Sequence, residues 1–170
     1  SIENMGFMLI GIGVGNLFWT LFYVLAHALT KALLFFSAGI IHRQYESVKV
    51  GEIRGAFKVQ PLASLGLIIG SIAIIGTPLF PIFIPKFFII AALSKVSLIL
   101  VVIVLLFLLV ATGSYMWFIL RTVTESGNEP EKYPIFISMK LPIVVLIIIL
   151  IFLGIYMPQS LSNLLNIIIL

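Results

Sequence analysis

From residue 96 to residue 120 the chain carries no charged side chain. An α-helix rises about 1.5 Å per residue, so this run is long enough to cross the ~30 Å hydrocarbon core of a bilayer. Similar apolar runs occupy residues 17–41, 61–93 and 141–157, and a shorter Gly-rich one occupies residues 2–14. What remains cannot build a water-facing surface. Hydrophobic residues are 62% of the chain and charged residues 9%, whereas a soluble domain is roughly 25% charged. The expected fold is all-α and integral to the membrane: a transmembrane helix bundle with the lipid bilayer around it. One transmembrane domain over residues 1–170 is the economical organisation, with 158–170 as a short interfacial tail.

Composition narrows the chemistry. The sequence has no Cys and no Asp, and only His27 and His42 among histidines. Disulfides, thiolate chemistry and Cys-ligated metal are excluded. No metal, cofactor or redox centre is expected in this chain. The formal charge of +4 is too small and too dispersed for nucleic acid, and it is better read as a topology signal. Gly11-Ile12-Gly13-Val14-Gly15 lacks the strand–turn–helix context of a dinucleotide site. The chain starts at Ser1 with neither an initiator Met nor the basic region of a signal peptide, so more polypeptide is expected upstream.

Counting basic residues orients the bundle. If each long segment crosses once, loops 42–60 and 121–140 share a side and hold Arg43, Lys49, Arg54, Lys58, Arg121, Lys132 and Lys140. The other side has Lys95. The basic side is expected to be cytoplasmic, in a multi-pass protein of the cell membrane.

Two features inside the apolar bulk carry chemistry. His27 and Lys31 lie four residues apart in the second segment, on one helix face. A charge at mid-membrane costs at least about 2.5–3.5 kcal/mol on insertion scales. Two adjacent cationic groups also disfavour each other's charged form, as a site that gains and loses protons requires. Tyr23 and Thr30 are near enough to hydrogen-bond. The competing reading has Lys31 snorkelling and His27 bonding a neighbouring helix, but both lie far from the segment's basic end.

The second feature is a break at 77–85 in the third segment, Thr77-Pro78-Leu79-Phe80-Pro81-Ile82-Phe83-Ile84-Pro85, followed by Lys86. Pro78, Pro81 and Pro85 each lack an N–H and clash with the preceding turn. Broken backbone at membrane depth is tolerated only inside protein or beside water, and such helices mark ion sites in transporters. The bland alternative is a proline kink with Lys86 near the outer interface. Arg121 and Lys140 read as interface anchors, Tyr115 and Trp117 as an aromatic belt, and Ser37-Ala38-Gly39 as a packing patch.

Ser1-Ile2-Glu3-Asn4-Met5-Gly6, the run His27-Ala28-Leu29-Thr30-Lys31-Ala32-Leu33-Leu34-Phe35-Phe36-Ser37-Ala38-Gly39, and Gly76-Thr77-Pro78 through Lys86-Phe87 together resemble the antiporter-like subunits of respiratory complex I. The likeness is greatest to the branch found in membrane-bound energy-converting hydrogenases, and the family extends to the large subunits of multisubunit cation/proton antiporters. The resemblance implies a fourteen-helix fold with inverted repeats, of which this chain covers about the tenth to fourteenth helix, including the second half-channel. It implies proton relay by His27 and Lys31, and a terminal relay position at Lys86, where many hydrogenase-type relatives carry Glu. The first half-channel is absent from these residues.

The expected function is therefore ion translocation, of protons or of sodium, by a Lys/His relay within a respiratory or hydrogenase-type oxidoreductase complex. Its expected partners are other membrane subunits, including further antiporter-like chains. A structural scaffold subunit and a part of a multisubunit antiporter are the alternatives. No carboxylate is expected at membrane depth, which leaves the ion unnamed.

Overall fold

The computed structural model describes residues 2–47, 49, 52–124 and 134–169. Helix α1 runs Ile2–Gly13, α2 Leu17–Tyr45, the short α3 Ala56–Val59, α4 Pro61–Ile75 and α5 Phe83–Ser94. Helix α6 runs Leu98–Ile119 and passes into a single π-helical turn, Leu120–Thr124. Helices α7, Ile137–Ile155, and α8, Gln159–Ile169, complete the bundle. Three helical stretches are long and apolar enough to cross a membrane: Leu17–Tyr45, Leu98–Val123 and Ile137–Ile155. Helices α4 and α5, about 22 Å and 18 Å long at helical rise, are shorter apolar helices that flank the break.

Several bounds differ from the sequence expectation. Helix α2 continues beyond residue 41 to Tyr45, because its end is set by Glu46 in the left-handed conformation, whose N–H bonds the His42 carbonyl. The break spans residues 76–82 and not 77–85. Pro85 lies inside the first turn of α5, where a missing N–H costs nothing. Helix α7 begins at residue 137 and not 141, which puts Pro142 inside the helix. The span expected at 96–120 begins at residue 98, where the Ser97 hydroxyl accepts from the Leu100 N–H. Helix continues beyond residue 120 through the π turn. The supposed loop 42–60 contains α3. Lys132 lies outside the described residues.

Helix α2 is the centre of the bundle, packing against α1, α4, α5, α7 and α8. On one side Leu33, Ile40 and Ile41 meet Leu67 of α4 and Ile143 and Leu150 of α7. On the other, Tyr23 and Ala26 meet Phe7 of α1, Ile74 of α4 and Ile82 and Ile89 at the break and α5. Ser37 belongs to the patch read as packing, and it does lie against Gly66 of α4, whereas Gly39 faces open space. Helix α6 instead exposes Leu98, Ile99, Leu106, Phe107, Leu109 and Val110, an apolar face suited to lipid. Its Thr112 and Ser114 hydroxyls donate to the carbonyls of Leu108 and Val110 one turn back, so they need no outside partner.

The ends of the bundle differ in polarity. At one end Gln60 donates to Gln44, the Tyr45 hydroxyl donates to the Arg54 carbonyl, and Arg43 reaches the Met139 sulfur. The Arg121 guanidinium lies 5.1 Å from the Trp117 ring. Nearby, the Ser47 hydroxyl and Lys49 hold the Glu52 carboxyl below its ordinary value. Lys95 caps α5 at the other end, where Asn16 donates to the Phe88 carbonyl.

The break is held by close packing. Leu79 has φ of 89°, a left-handed conformation that costs a non-glycine residue about 1–3 kcal/mol. Helix α7 lies directly against it at Gly154. A Cβ there would collide with the Leu79 carbonyl and stand 2.8 Å from the Phe80 Cα. Replacing Gly154 with Ala must push α7 and the break apart. The expected loss is about 1–3 kcal/mol, the range for overpacking, seen as a lower melting temperature in detergent. An unchanged melting temperature would contradict this packing.

Candidate functional site

The break delivers Lys86 into the bundle. Helix α4 ends at Gly76, whose φ of 89° lets its N–H turn back to the carbonyls of Ile72 and Ala73. A side chain at Gly76 would be strained by that φ, and its Cβ would stand 2.9 Å from the Lys86 Cδ. The absence of a side chain therefore opens the space that the lysine stem fills. The Thr77 hydroxyl donates to the Ile72 carbonyl at 3.0 Å. The carbonyl of Ile75 is left unpaired by the end of the helix, and Lys86 Nζ donates to it at 3.0 Å. A cation at a helix C-terminus is also favoured by the helix dipole.

Lys86 is only 4% exposed. Its second partner is the Glu3 carboxylate, with Nζ 2.8 Å from Oε1. On a third side the Phe7 ring centroid is 5.0 Å from Nζ, within cation–π range. The network continues through α1 to α2. Glu3 Oε2 accepts from Asn4 Nδ2 at 2.9 Å. Asn4 Oδ1 accepts from the Tyr23 hydroxyl at 2.7 Å. Asn4 and Tyr23 are fully buried.

Depth follows from helix rise. Gly13 ends α1 at the Lys95 end of the bundle, and Glu3 lies ten residues earlier, about 15 Å away. His27 lies ten residues into α2 from the same end, at a similar level. Half of a ~30 Å core is the same distance. Glu3 therefore overturns the expectation that no carboxylate sits at membrane depth. Its apolar helical neighbours Ile2, Met5, Phe7 and Met8 were the available signal. The pairing with Lys86, 83 residues away, had none.

The remaining sequence candidates divide. Tyr23 joins the Lys86 network through Asn4 rather than serving His27 or Lys31. Thr30 donates to the Ala26 carbonyl of its own helix at 2.8 Å. His27 is 5% exposed, one turn beyond Tyr23, and its Nδ1 has no hydrogen-bond partner among the described residues. Lys31 is partly exposed, with Nζ 4.5 Å from the Phe35 ring centroid. Pro78 and Pro81 shape the break, and Pro85 lies in the first turn of α5. Lys86 is thus buried at the break and not placed at an outer interface.

This arrangement of a broken helix, buried lysine and mid-helix histidine coincides with a family match. Residues 1–112 match the model of the NADH:quinone oxidoreductase/Mrp antiporter transmembrane family. The chain belongs to that family. It is 29% identical over 163 residues to a hydrogenase-4 component F homolog of Methylacidiphilum infernorum, covering 93% of this chain and 33% of the relative. It is 37% identical over 93 residues to NADH-ubiquinone oxidoreductase chain 5 of Papio hamadryas, covering 54% of this chain and 15% of the relative. The fold superposes on a chain of the Mrp complex from Dietzia sp. with a TM-score of 0.77 at 19% identity, covering 96% of this chain and 39% of the other. The chain therefore spans about a third or less of its curated relatives. It is an antiporter-like membrane subunit of the complex I and hydrogenase type.

Within this subunit the Tyr23–Asn4 bond ties α1 to α2. Replacing Tyr23 with Phe keeps the ring and leaves Asn4 Oδ1 buried without its donor. The expected cost is about 1–3 kcal/mol, read as reduced thermal stability of the purified protein. A Phe variant as stable as the parent would show that the bond carries no weight.

Proposed function

We propose that this chain translocates ions within a respiratory or hydrogenase-type oxidoreductase complex. A proton moves along His27, Lys31 and Lys86 with water between them, and sodium is the alternative ion. The single observation that carries this reading is Lys86, a charged group buried at a helix break beside a second ionisable group, Glu3. Burying a charge costs several kcal/mol even when it is paired. A fold that needed only a filled bundle would place an apolar side chain there. The unpartnered Nδ1 of His27 is a further group poised to bond a water or accept a proton.

The family names support the setting. A hydrogenase component homolog and an NADH-ubiquinone oxidoreductase chain are among its relatives, and a chain of an Mrp complex shares its fold. The working unit is a multisubunit assembly with further antiporter-like chains. The membrane is the cell membrane, with the end bearing Arg43, Arg54 and Arg121 cytoplasmic, as the basic-residue bias favours. Electron transfer belongs to other subunits. Two other readings remain: a scaffold subunit, which the polar partners of Lys86 disfavour, and a part of an independent cation/proton antiporter.

The test uses the assembled complex in proteoliposomes. Lys86→Ala and Lys31→Ala are each expected to reduce ion pumping while redox turnover stays measurable. Lys31 is partly exposed, so its variant guards against loss of assembly in the other. Unchanged pumping in both variants would sink the proposal. Pumping in sodium-free buffer separates the two ions.

A further inference from the structure

Among the described residues, Glu3 is an ionisable group that the sequence did not single out and that the fold brings to Lys86. It touches Lys86 on one side. On the other it lines an open cavity of about 400 Å³ between α1 and the exposed face of α6 that carries Phe107 and Val110. The remaining wall is apolar, formed by Ile2, Gly6, Phe7, Ile10, Val104, Phe107, Val110 and Ala111. A carboxylate against such a wall is tolerable only when paired or neutral. The structure shows it paired.

We infer that Glu3 is the direct proton partner of Lys86, and that the two form a charge-neutral exchange unit at the helix break. This inference rests on the ion-translocation reading above and names a further residue of that path. In the exchange, an N–H bond of the Lys86 ammonium breaks and an O–H bond forms on Glu3 Oε1, across the 2.8 Å that separates them. Both groups end neutral, and the reverse step restores the ion pair. Neither state carries net charge. The proton therefore shifts in a low-dielectric site without stranding an isolated ion, whose burial would be prohibitive. The neutral lysine is then able to take up another proton, and the neutral carboxyl holds the first beside the cavity.

Asn4 and Tyr23 are positioning residues. An amide cannot pass on a proton without becoming an imidic acid, so the direct exchange stops at Glu3. The Asn4 amide, held by the Tyr23 hydroxyl, fixes Oε2 and so aims Oε1 at the lysine.

The experiment compares Glu3→Gln, Glu3→Asp and Lys86→Ala in the assembled complex in proteoliposomes. Glu3→Gln keeps the size of the side chain but removes its negative charge and its ability to exchange the proton, and it replaces one of the two acceptor oxygens with an NH2 donor. Transport is expected to fall about a hundredfold, at the low end of general acid–base contributions. Glu3→Asp is expected to restore part of it with an altered pH profile, which a purely structural role would not produce. Loss of transport in Lys86→Ala together with unchanged transport and pH profile in Glu3→Gln overturns the role of Glu3 alone. Unchanged transport in Lys86→Ala overturns this inference and the functional reading together.

If Glu3→Gln fails to assemble, the unsubstituted complex is treated with dicyclohexylcarbodiimide. This apolar reagent adds to protonated carboxyls in apolar surroundings, and the adduct rearranges to a stable N-acylurea. Mass spectrometry of the α1 peptide is expected to find Glu3 modified in step with loss of transport. An unmodified Glu3 after transport has been lost would overturn the inference.

Discussion

The Lys86–Glu3 ion pair stands where three helices meet, and each has a local reason to be there. Helix α4 ends at Gly76 and leaves the Ile75 carbonyl without a helical donor. Helix α5 begins after Pro78 and Pro81 and projects Lys86 back toward that carbonyl. Helix α1 supplies the carboxylate and the Phe7 ring. Interrupting a helix inside a bilayer exposes backbone groups that hydrocarbon cannot satisfy. Here a lysine closes one of those groups, a threonine hydroxyl and the Gly76 N–H close others, and the lysine's own charge is closed by Glu3. Removing any one partner would leave a buried polar atom unpaired.

The rest of the bundle protects that arrangement. Helix α2 separates two apolar clusters and carries Tyr23, Ala26 and His27 on the face toward the network. Helix α7 presses Gly154 against the strained Leu79, so the conformation of the break is imposed by packing and not by the local preference of leucine. Strain of this kind persists only where surrounding structure over-determines it. The same packing keeps the Ile75 carbonyl and Lys86 in register.

Much of the architecture was legible in the sequence because it depends on local properties. Uninterrupted apolar length implied spanning helices, and three prolines between residues 78 and 85 implied a broken one. The errors at the bounds were also local. Pro85 counts toward the break by residue type, but it sits in the first turn of α5, where a proline gives up an N–H that has no partner anyway. The site was only partly legible. His27, Lys31 and Lys86 stood out as charges in apolar surroundings. Glu3 did not, although it too is flanked by apolar residues.

The sequence by itself determined that this chain lives in a membrane, that one apolar segment is broken by prolines and that a lysine follows the break. These follow from the cost of burying charge and from the missing N–H of proline, which act residue by residue. Only the tertiary structure decided that Lys86 is paired, that Glu3 is its partner and that Tyr23 serves Glu3 through Asn4 instead of His27. Those contacts join residues far apart along the chain. They exist because α1, α2 and α5 pack together at one level, and periodicity along a single helix cannot specify which side chains another helix brings to meet it.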